Sequence, residues 1–174
     1  MNEWYCKEIT EASYNELITL TKWINEIYGY YPFIIGGWDG ARTLSTIFQY
    51  KADSVMQIRA LLPYSVECHS VAVNENVAFL TGGFDGIQIT DKILLIDLIS
   101  FETKELPLKL KAARENHCSE IAEDQLIVCA GWDGFKPLKS VEVFRILPSF
   151  PFLQYSHSFE LDIPRNRPCI IKLP

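Results

Sequence analysis

Three stretches of the chain follow one pattern: IIGGWDG at Ile34–Gly40, LTGGFDG at Leu80–Gly86 and VCAGWDG at Val128–Gly134. In each stretch an apolar strand end runs into two small residues, an aromatic residue, an aspartate and a glycine. The first small residues lie 46 and then 48 residues apart, at Gly36, Gly82 and Ala130. We therefore expect an internal structural repeat.

Two further separations along the sequence are the same in all three copies. This agreement argues against a chance match. An apolar residue follows the second glycine by 13 residues in every copy, at Tyr50, Ile96 and Phe144. Thirteen residues before the first motif position stand Trp23, His69 and His117. A period of this length is typical of the four-stranded blades of a β-propeller.

Alternation of apolar and polar residues between these markers predicts strands rather than helices. Each repeat is expected to form a four-stranded antiparallel sheet. The predicted first strands are Trp23–Ile27, His69–Val73 and His117–Ala122, and the second are Phe33–Gly36, Val77–Gly82 and Leu126–Ala130. The third are Leu44–Tyr50, Lys92–Asp97 and Lys139–Arg145, and the fourth are Met56–Ala60, Phe101–Leu106 and Phe152–Ser156.

The order of these elements resembles the kelch repeat, in which a short apolar strand leads to a Gly-Gly pair and an aromatic-Asp-Gly turn. LKSVEVF at Leu138–Phe144 is similar to its third strand, and RENHC at Arg114–Cys118 to the entry into its innermost strand. The likeness extends from about Trp23 to the C-terminus. Ala130 departs from the family pattern, as does Trp23 at the position of the histidines. The resemblance implies an all-β fold of kelch-type β-propeller blades.

The repeats divide the chain into five parts. Residues 1–22 are expected to hold the outer strand of a preceding blade with a linker or short helix. Repeats follow at 23–66, 67–113 and 114–163, and residues 164–174 begin a further repeat. About three and a half blades leave the ring incomplete, because closed propellers have four to eight. Open blade edges predict self-association.

Several motif residues are expected to be structural. Glycine permits left-handed backbone and close approach of a neighbouring chain, and aspartate side chains accept hydrogen bonds from turn amides. The residues assigned these roles are Gly36, Gly37, Asp39, Gly82, Gly83, Asp85, Gly131 and Asp133. These glycines are not expected to form a phosphate-binding loop, because the sequence has neither the P-loop spacing nor the Rossmann glycine fingerprint.

Antiparallel geometry places the long loops of all blades on one face. Aromatic and basic residues there are candidates for binding a partner, since these types are enriched at binding hot spots. The candidates are Trp38, Arg42, Phe84, Arg114, Trp132, Lys136 and Arg165. An alternative for the aromatic residues is that each packs over its own loop.

Composition argues against several other classes. A net charge of −6 with scattered basic residues disfavours a nucleic-acid partner. No leader or membrane-length apolar run is present, so we expect a cytoplasmic chain without membrane contact. Five cysteines in no metal-binding spacing predict free thiols and no cofactor or metal.

The resemblance implies a protein-binding module, either a substrate receptor like those of cullin-RING ubiquitin ligases or an actin-associated propeller. No catalytic constellation stands out, so an enzyme is not expected. Two alternatives remain. A metal-dependent kelch-fold enzyme would use Cys68-His69 and His117-Cys118, and the chain could instead be a non-functional fragment of a larger kelch protein.

Overall fold

The computed structural model describes residues 32–51 and 54–172, and these residues form strands and loops without any helix. Eleven strands are arranged in three antiparallel sheets. The first sheet contains β1 (Phe33–Ile35), β2 (Thr46–Lys51) and β3 (Ser54–Leu61). The second contains β4 (Ser70–Asn74), β5 (Val77–Thr81), β6 (Ile93–Asp97) and β7 (Thr103–Glu105). The third contains β8 (Cys118–Ala122), β9 (Gln125–Cys129), β10 (Leu138–Ile146) and β11 (Leu153–Arg165). Within the described residues, the predicted all-β fold is confirmed.

Each sheet is a meander in which consecutive strands are neighbours. The second and third sheets have four strands each. The first has three among the described residues, because its predicted first strand, Trp23–Ile27, lies outside them. The outer strand and linker expected at residues 1–22 also lie outside the described part of the chain.

One predicted strand is much too short. The fourth strand of the third sheet was expected at Phe152–Ser156, but β11 extends through 13 residues to Arg165. Two irregularities in its pairing with β10 absorb extra residues, so Leu138 at the start of β10 still pairs with Arg165 at the end of β11. Arg165 therefore belongs to a strand, not to the loop predicted for it. Residues 166–172 form no strand within the described region.

The sheets stack face to face through two apolar clusters. Between the first and second sheets, Ile47, Val66, Leu80 and Ile96 are buried together. Between the second and third, the buried residues of both sheets are Ala72, Phe79, Ile93, Leu106, Leu110, Ile121, Leu126, Val128, Phe144 and Leu153. Each valine, leucine, isoleucine or phenylalanine side chain in these clusters contributes about 1.5–3 kcal/mol when fully buried, so neighbouring sheets stabilise one another.

The first motif glycine allows the next sheet to approach closely. Gly36 has a φ of 61°, and a Cβ there would lie 2.5 Å from the carbonyl oxygen of Val66 and 3.0 Å from Cε1 of His69. Gly82 meets His117 in the same way, with Cε1 of that ring 2.8 Å from the Cβ position. His69 and His117, which immediately precede β4 and β8, thus each pack over the first motif glycine of the preceding sheet.

Ala130 has a φ of 58°, so it adopts the left-handed conformation of the glycines it replaces. Alignment of RNRPC at Arg165–Cys169 with RENHC at Arg114–Cys118 places Pro168, not a histidine, at the position corresponding to His69 and His117. In the described part of the chain, Gly36 and Gly82 each have a histidine from the next repeat packed against them, and Ala130 does not. The alanine therefore occurs at the motif position where no histidine ring has to be accommodated.

Acid should destabilise the protein through these two histidines. Burial lowers the pKa of His69 to about 4 and that of His117 to about 3, where the charges of Arg114 and His69 act in the same direction. Between pH 6.5 and 4 the unfolded chain binds protons that the folded chain does not. Above pH 6.5 the two histidines are neutral in both states, so they do not lower the free energy of unfolding. As the pH falls towards 4, we expect the free energy of unfolding to decrease by about 2 kcal/mol or more per histidine.

Chemical denaturation across this pH range measures the effect. A His69→Gln/His117→Gln variant is the control, because its stability should change much less in the same window. Partly buried Glu115, whose pKa is raised mainly by desolvation, opposes the trend and remains in both proteins. Equal pH dependence of the two proteins would contradict the assignment to the histidines.

Candidate functional site

Three equivalent loops connect the second and third strands of the three sheets. They are Trp38–Thr43, Phe84–Ile89 and Trp132–Pro137, and in each the first and last residues form an isolated antiparallel bridge. We call them the turn loops. Their bases are narrow because these bridges bring the two ends of each loop together.

An aspartate closes each turn loop. Oδ1 of Asp39 accepts hydrogen bonds from the amides of Ala41 at 2.8 Å and Arg42 at 2.9 Å. Asp85 and Asp133 make the same pair of bonds two and three residues further along. These backbone donors hold the pKa of Asp39 and Asp133 below its usual value. The aspartates thus have the turn-forming geometry that the sequence predicts.

The turn loops lie side by side. A Cβ on Gly86 would lie 3.5 Å from Oγ1 of Thr43 in the preceding loop, and one on Gly134 would lie 3.4 Å from Cδ1 of Ile89. Adjacent loops are therefore in van der Waals reach of each other. We call the continuous surface formed by the three loops the loop face.

Large apolar side chains stand out from the loop face into solvent. Trp38 is 55% exposed, Ile87 89% and Phe135 91%. Ile87 and Phe135 occupy the same position, two residues after the loop aspartate, and neither was among the predicted binding residues. The sequence feature that could have identified them is a large apolar residue two positions after the loop aspartate. At the tip of such a turn, the side chain has nothing to pack against.

The other two predicted aromatic residues are partly buried. Phe84 and Trp132 each exchange a pair of backbone hydrogen bonds, with Glu67 and Glu115 respectively, at 2.8 and 2.9 Å. These bonds fix the loop to the segment that leads into the inner strand. Phe84 and Trp132 therefore help to hold the loop face in place through their backbone, while Trp38 has the most accessible side chain of the three.

Three of the predicted basic residues are exposed. Arg42 lies 3.4 Å from the carboxylate of Asp39 in its own loop, and Lys136 occupies the corresponding position in the third loop. Arg165 is exposed at the end of β11, and its carbonyl accepts a hydrogen bond from Gly131 at 2.9 Å. Arg42 and Lys136 thus belong to the loop face itself.

The prediction that Arg114 binds a partner is wrong, because its side chain is completely buried. Its guanidinium donates to the carbonyl oxygens of Ala130 at 2.9 Å and Ser140 at 3.2 Å, and forms an ion pair with Glu142. Glu142 also accepts the amide of Lys111 at 2.8 Å. Burial lowers the pKa of Arg114, and the charge of Glu142 opposes that shift. The buried ion pair therefore links the segment that follows the second sheet to the third sheet.

No group of three or more His, Cys, Asp or Glu side chains is placed to hold a metal ion within residues 32–51 and 54–172. The histidines of the proposed Cys68-His69 and His117-Cys118 ligand set pack over glycines, as described above. In the same part of the chain, no helix is long and apolar enough to cross a bilayer.

Comparison with models of known protein families gave no match, and comparison with curated proteins gave none either.

Proposed function

We propose that this chain is a kelch-type repeat protein whose three sheets are propeller blades and whose loop face binds a protein partner. One observation carries the proposal: three adjacent, aspartate-closed loops expose large apolar side chains, Trp38 at the base of the first loop and Ile87 and Phe135 at the tips of the other two. A monomeric protein exposes single apolar residues commonly, but several large apolar residues exposed on adjacent loops of one face are typical of interaction sites.

The geometry of the loops favours binding. Because each tip is fixed by two hydrogen bonds to its aspartate, little loop entropy is lost when a partner docks. Arg42 and Lys136 supply a charged margin around the apolar tips, as interfaces commonly have. The variation of Ala41, Ile87 and Phe135 at one equivalent position would give each loop a different contact on the same scaffold.

We favour protein binding over catalysis, because the loop face carries exposed apolar side chains that can anchor a partner. It does not present an acidic and a basic side chain paired for general acid–base catalysis. The kelch resemblance supports a substrate-recognition or cytoskeletal role in the cytoplasm, with a protein rather than nucleic acid or membrane as partner.

A charge placed on the loop tips should abolish binding without unfolding the protein. We expect Ile87→Asp/Phe135→Asp to reduce capture of the partner from an extract of the source cell at least tenfold, since apolar anchors at interfaces often contribute about 2 kcal/mol each. Quantitative mass spectrometry of captured proteins, with melting temperature measured in parallel, tests this.

The control variant is Glu75→Lys/Glu123→Lys, which changes exposed residues at equivalent positions in the short turns between first and second strands. It should capture the same proteins as the unmodified chain. If the control loses those proteins while Ile87→Asp/Phe135→Asp retains them, recognition occurs on the opposite face. If all three baits capture the same set, the loop face is not a binding site.

A further inference from the structure

Two cysteines face each other across the hairpin formed by β8 and β9. Cys118 begins β8 and Cys129 ends β9, and the two residues are direct partners in the antiparallel register. Opposite residues of an antiparallel pair lie on the same face of the sheet, with Cβ atoms about 4.5–5.5 Å apart. The thiol of Cys118 donates to the carbonyl oxygen of Cys129 at 3.8 Å. The two thiols therefore lie side by side.

The spacing of this pair suits a disulfide bond. Residues directly opposite in an antiparallel sheet have Cα atoms about 4.5–5.5 Å apart, and disulfides join residues whose Cα atoms are about 4.4–6.8 Å apart. Both thiols are free in the structure. The reduced pair is thus held where rotation of two side chains can bring the sulfur atoms together.

The corresponding positions of the second sheet carry hydroxyl groups. Ser70 and Thr81 are direct partners in β4 and β5, each 48 residues before Cys118 and Cys129. Oγ1 of Thr81 lies 2.9 Å from Nε2 of His117, so this hydroxyl is used in the contact with the next sheet. The fold therefore accepts small polar side chains at both positions, and packing alone does not require thiols there.

Two arginines favour the thiolate form of Cys129. The pKa of Cys129 is held below its ordinary value, first by a hydrogen bond with the thiol of Cys118 and then by the charges of Arg114 and Arg165, while burial opposes the shift. The guanidinium of Arg114 is fixed at this end of β9, where it donates to the carbonyl oxygen of Ala130 at 2.9 Å. The pKa of Cys118 is raised by the same thiol–thiol bond and by burial. Cys129 therefore ionises first, and the thiolate is the nucleophilic form of cysteine.

Accessibility divides the pair in the same way. Within the described chain Cys129 is partly accessible, whereas Cys118 is 8% exposed. The nucleophile has to meet an oxidant, but the thiol that closes a disulfide has to meet only its neighbour. Both sulfur atoms belong to one hairpin, so the closing step depends on contacts inside the described chain and not on what adjoins either end of it.

We propose that Cys118 and Cys129 are a redox-active thiol pair that hydrogen peroxide converts into a reversible cross-strand disulfide. The thiolate of Cys129 attacks one peroxide oxygen: an S–O bond forms, the O–O bond breaks, and the hydroxide released takes up the proton that Cys129 had lost. The sulfur of Cys118 then attacks the resulting sulfenic acid. An S–S bond forms, the S–O bond breaks, and the hydroxyl group leaves as water with the proton of Cys118. Two thiols are thus oxidised and one peroxide is reduced to two waters, whatever the loop face binds.

Mass spectrometry of a tryptic digest measures the reaction. Residues 115–139 form one tryptic peptide because Lys136 precedes a proline, so the proposed disulfide is a cross-link within a single peptide. The folded protein is treated briefly with a small excess of hydrogen peroxide, and its remaining thiols are alkylated before digestion. We expect this peptide to lose two hydrogen atoms, and dithiothreitol to restore both thiols.

Cys68 provides an internal reference for the rate. Burial raises its pKa, and the charges of Glu115 and Glu67 act in the same direction. The disulfide within residues 115–139 should therefore form about tenfold faster, or more, than the thiol of Cys68 is lost.

Single substitutions separate the two roles. Cys118→Ser removes the resolving thiol, so the sulfenic acid of Cys129 should accumulate and be trapped by dimedone. Cys129→Thr should give neither sulfenic acid nor disulfide in this peptide. Cys68→Ser is the matched control and should form the disulfide at the unmodified rate. The melting temperatures should stay nearly unchanged, because Ser70 and Thr81 occupy the same positions in the second sheet.

Several results would overturn the proposal. One is that the folded protein forms no disulfide within residues 115–139, or forms it only in denaturant. Another is that this pair oxidises no faster than Cys68, or that the bridge joins Cys129 to Cys169 in the peptide of residues 166–172. A Cys118→Ser variant without sulfenic acid at Cys129 would also contradict the proposed order of attack.

Discussion

Replacing Arg114 by alanine is expected to lower the free energy of unfolding by about 3–5 kcal/mol, because it leaves Glu142 charged, buried and without its ion-pair partner. The carbonyl oxygens of Ala130 and Ser140 would lose donors as well. Denaturant titration measures the change. Arg42→Ala is the control, since an exposed arginine that contacts only its own loop contributes about 0–1 kcal/mol.

The chain contains an apolar version of the same contact. At the interface of the first two sheets, Val66 and Leu94 occupy the positions of Arg114 and Glu142, and both are fully buried. Arg114→Met/Glu142→Leu should therefore recover much of the stability lost in Arg114→Ala, because no charge remains buried. If Arg114→Ala alone is as stable as the unmodified protein, the ion pair does not hold these sheets together.

Gly83→Val is expected to cost about 3 kcal/mol or more. Gly83 has a φ of 98°, which a β-branched residue adopts only with strain. A Cβ would also lie 2.6 Å from the carbonyl oxygen of Glu67 and 2.8 Å from Cβ of His69, so backbone must move. The melting temperature and the free energy of unfolding both report this effect.

A pair of alanine variants separates strain from crowding. Gly86 has a φ of 96°, close to that of Gly83, but its nearest neighbour would be Oγ1 of Thr43 at an ordinary 3.5 Å. Gly86→Ala should therefore show the backbone cost alone, and Gly83→Ala a clearly larger loss. Equal losses at the two sites would show that the close approach of Glu67 contributes nothing.

The positions of the strands could be predicted because local spacing encodes them. In the second and third sheets, the first, second and third strands begin within one residue of the predicted positions, since glycine pairs and apolar alternation mark them in sequence. The extent of β11 could not be predicted, because it depends on irregular pairing with β10 between Leu138 and Ser140 and again between Val143 and Phe144. Such irregularities have no marker in a single strand's own sequence.

The site was predicted less well, because exposure depends on tertiary contacts. Arg114 precedes an inner strand and looked like a loop residue, but the adjacent sheet buries it. A clue was present at Glu142, a charged residue at a position where the other repeats have Phe48 and Leu94. A charge on a core-facing strand position indicates a buried partner. Ile87 and Phe135 could not be singled out in the same way, because the tip position varies between the repeats and its exposure depends on the tertiary fold.

The aspartate closure of the turn loops separates what a loop displays from what keeps it folded. Because Asp85 bonds the amides of Ile87 and Gln88, any side chains at those two positions can be carried on the same backbone. Tip sequences could then be exchanged among the three loops, or transplanted from another repeat, as cassettes. When such a repeat is duplicated, the copy already has a stable loop. Its two tip residues can then be selected for a new contact without any change to the buried core.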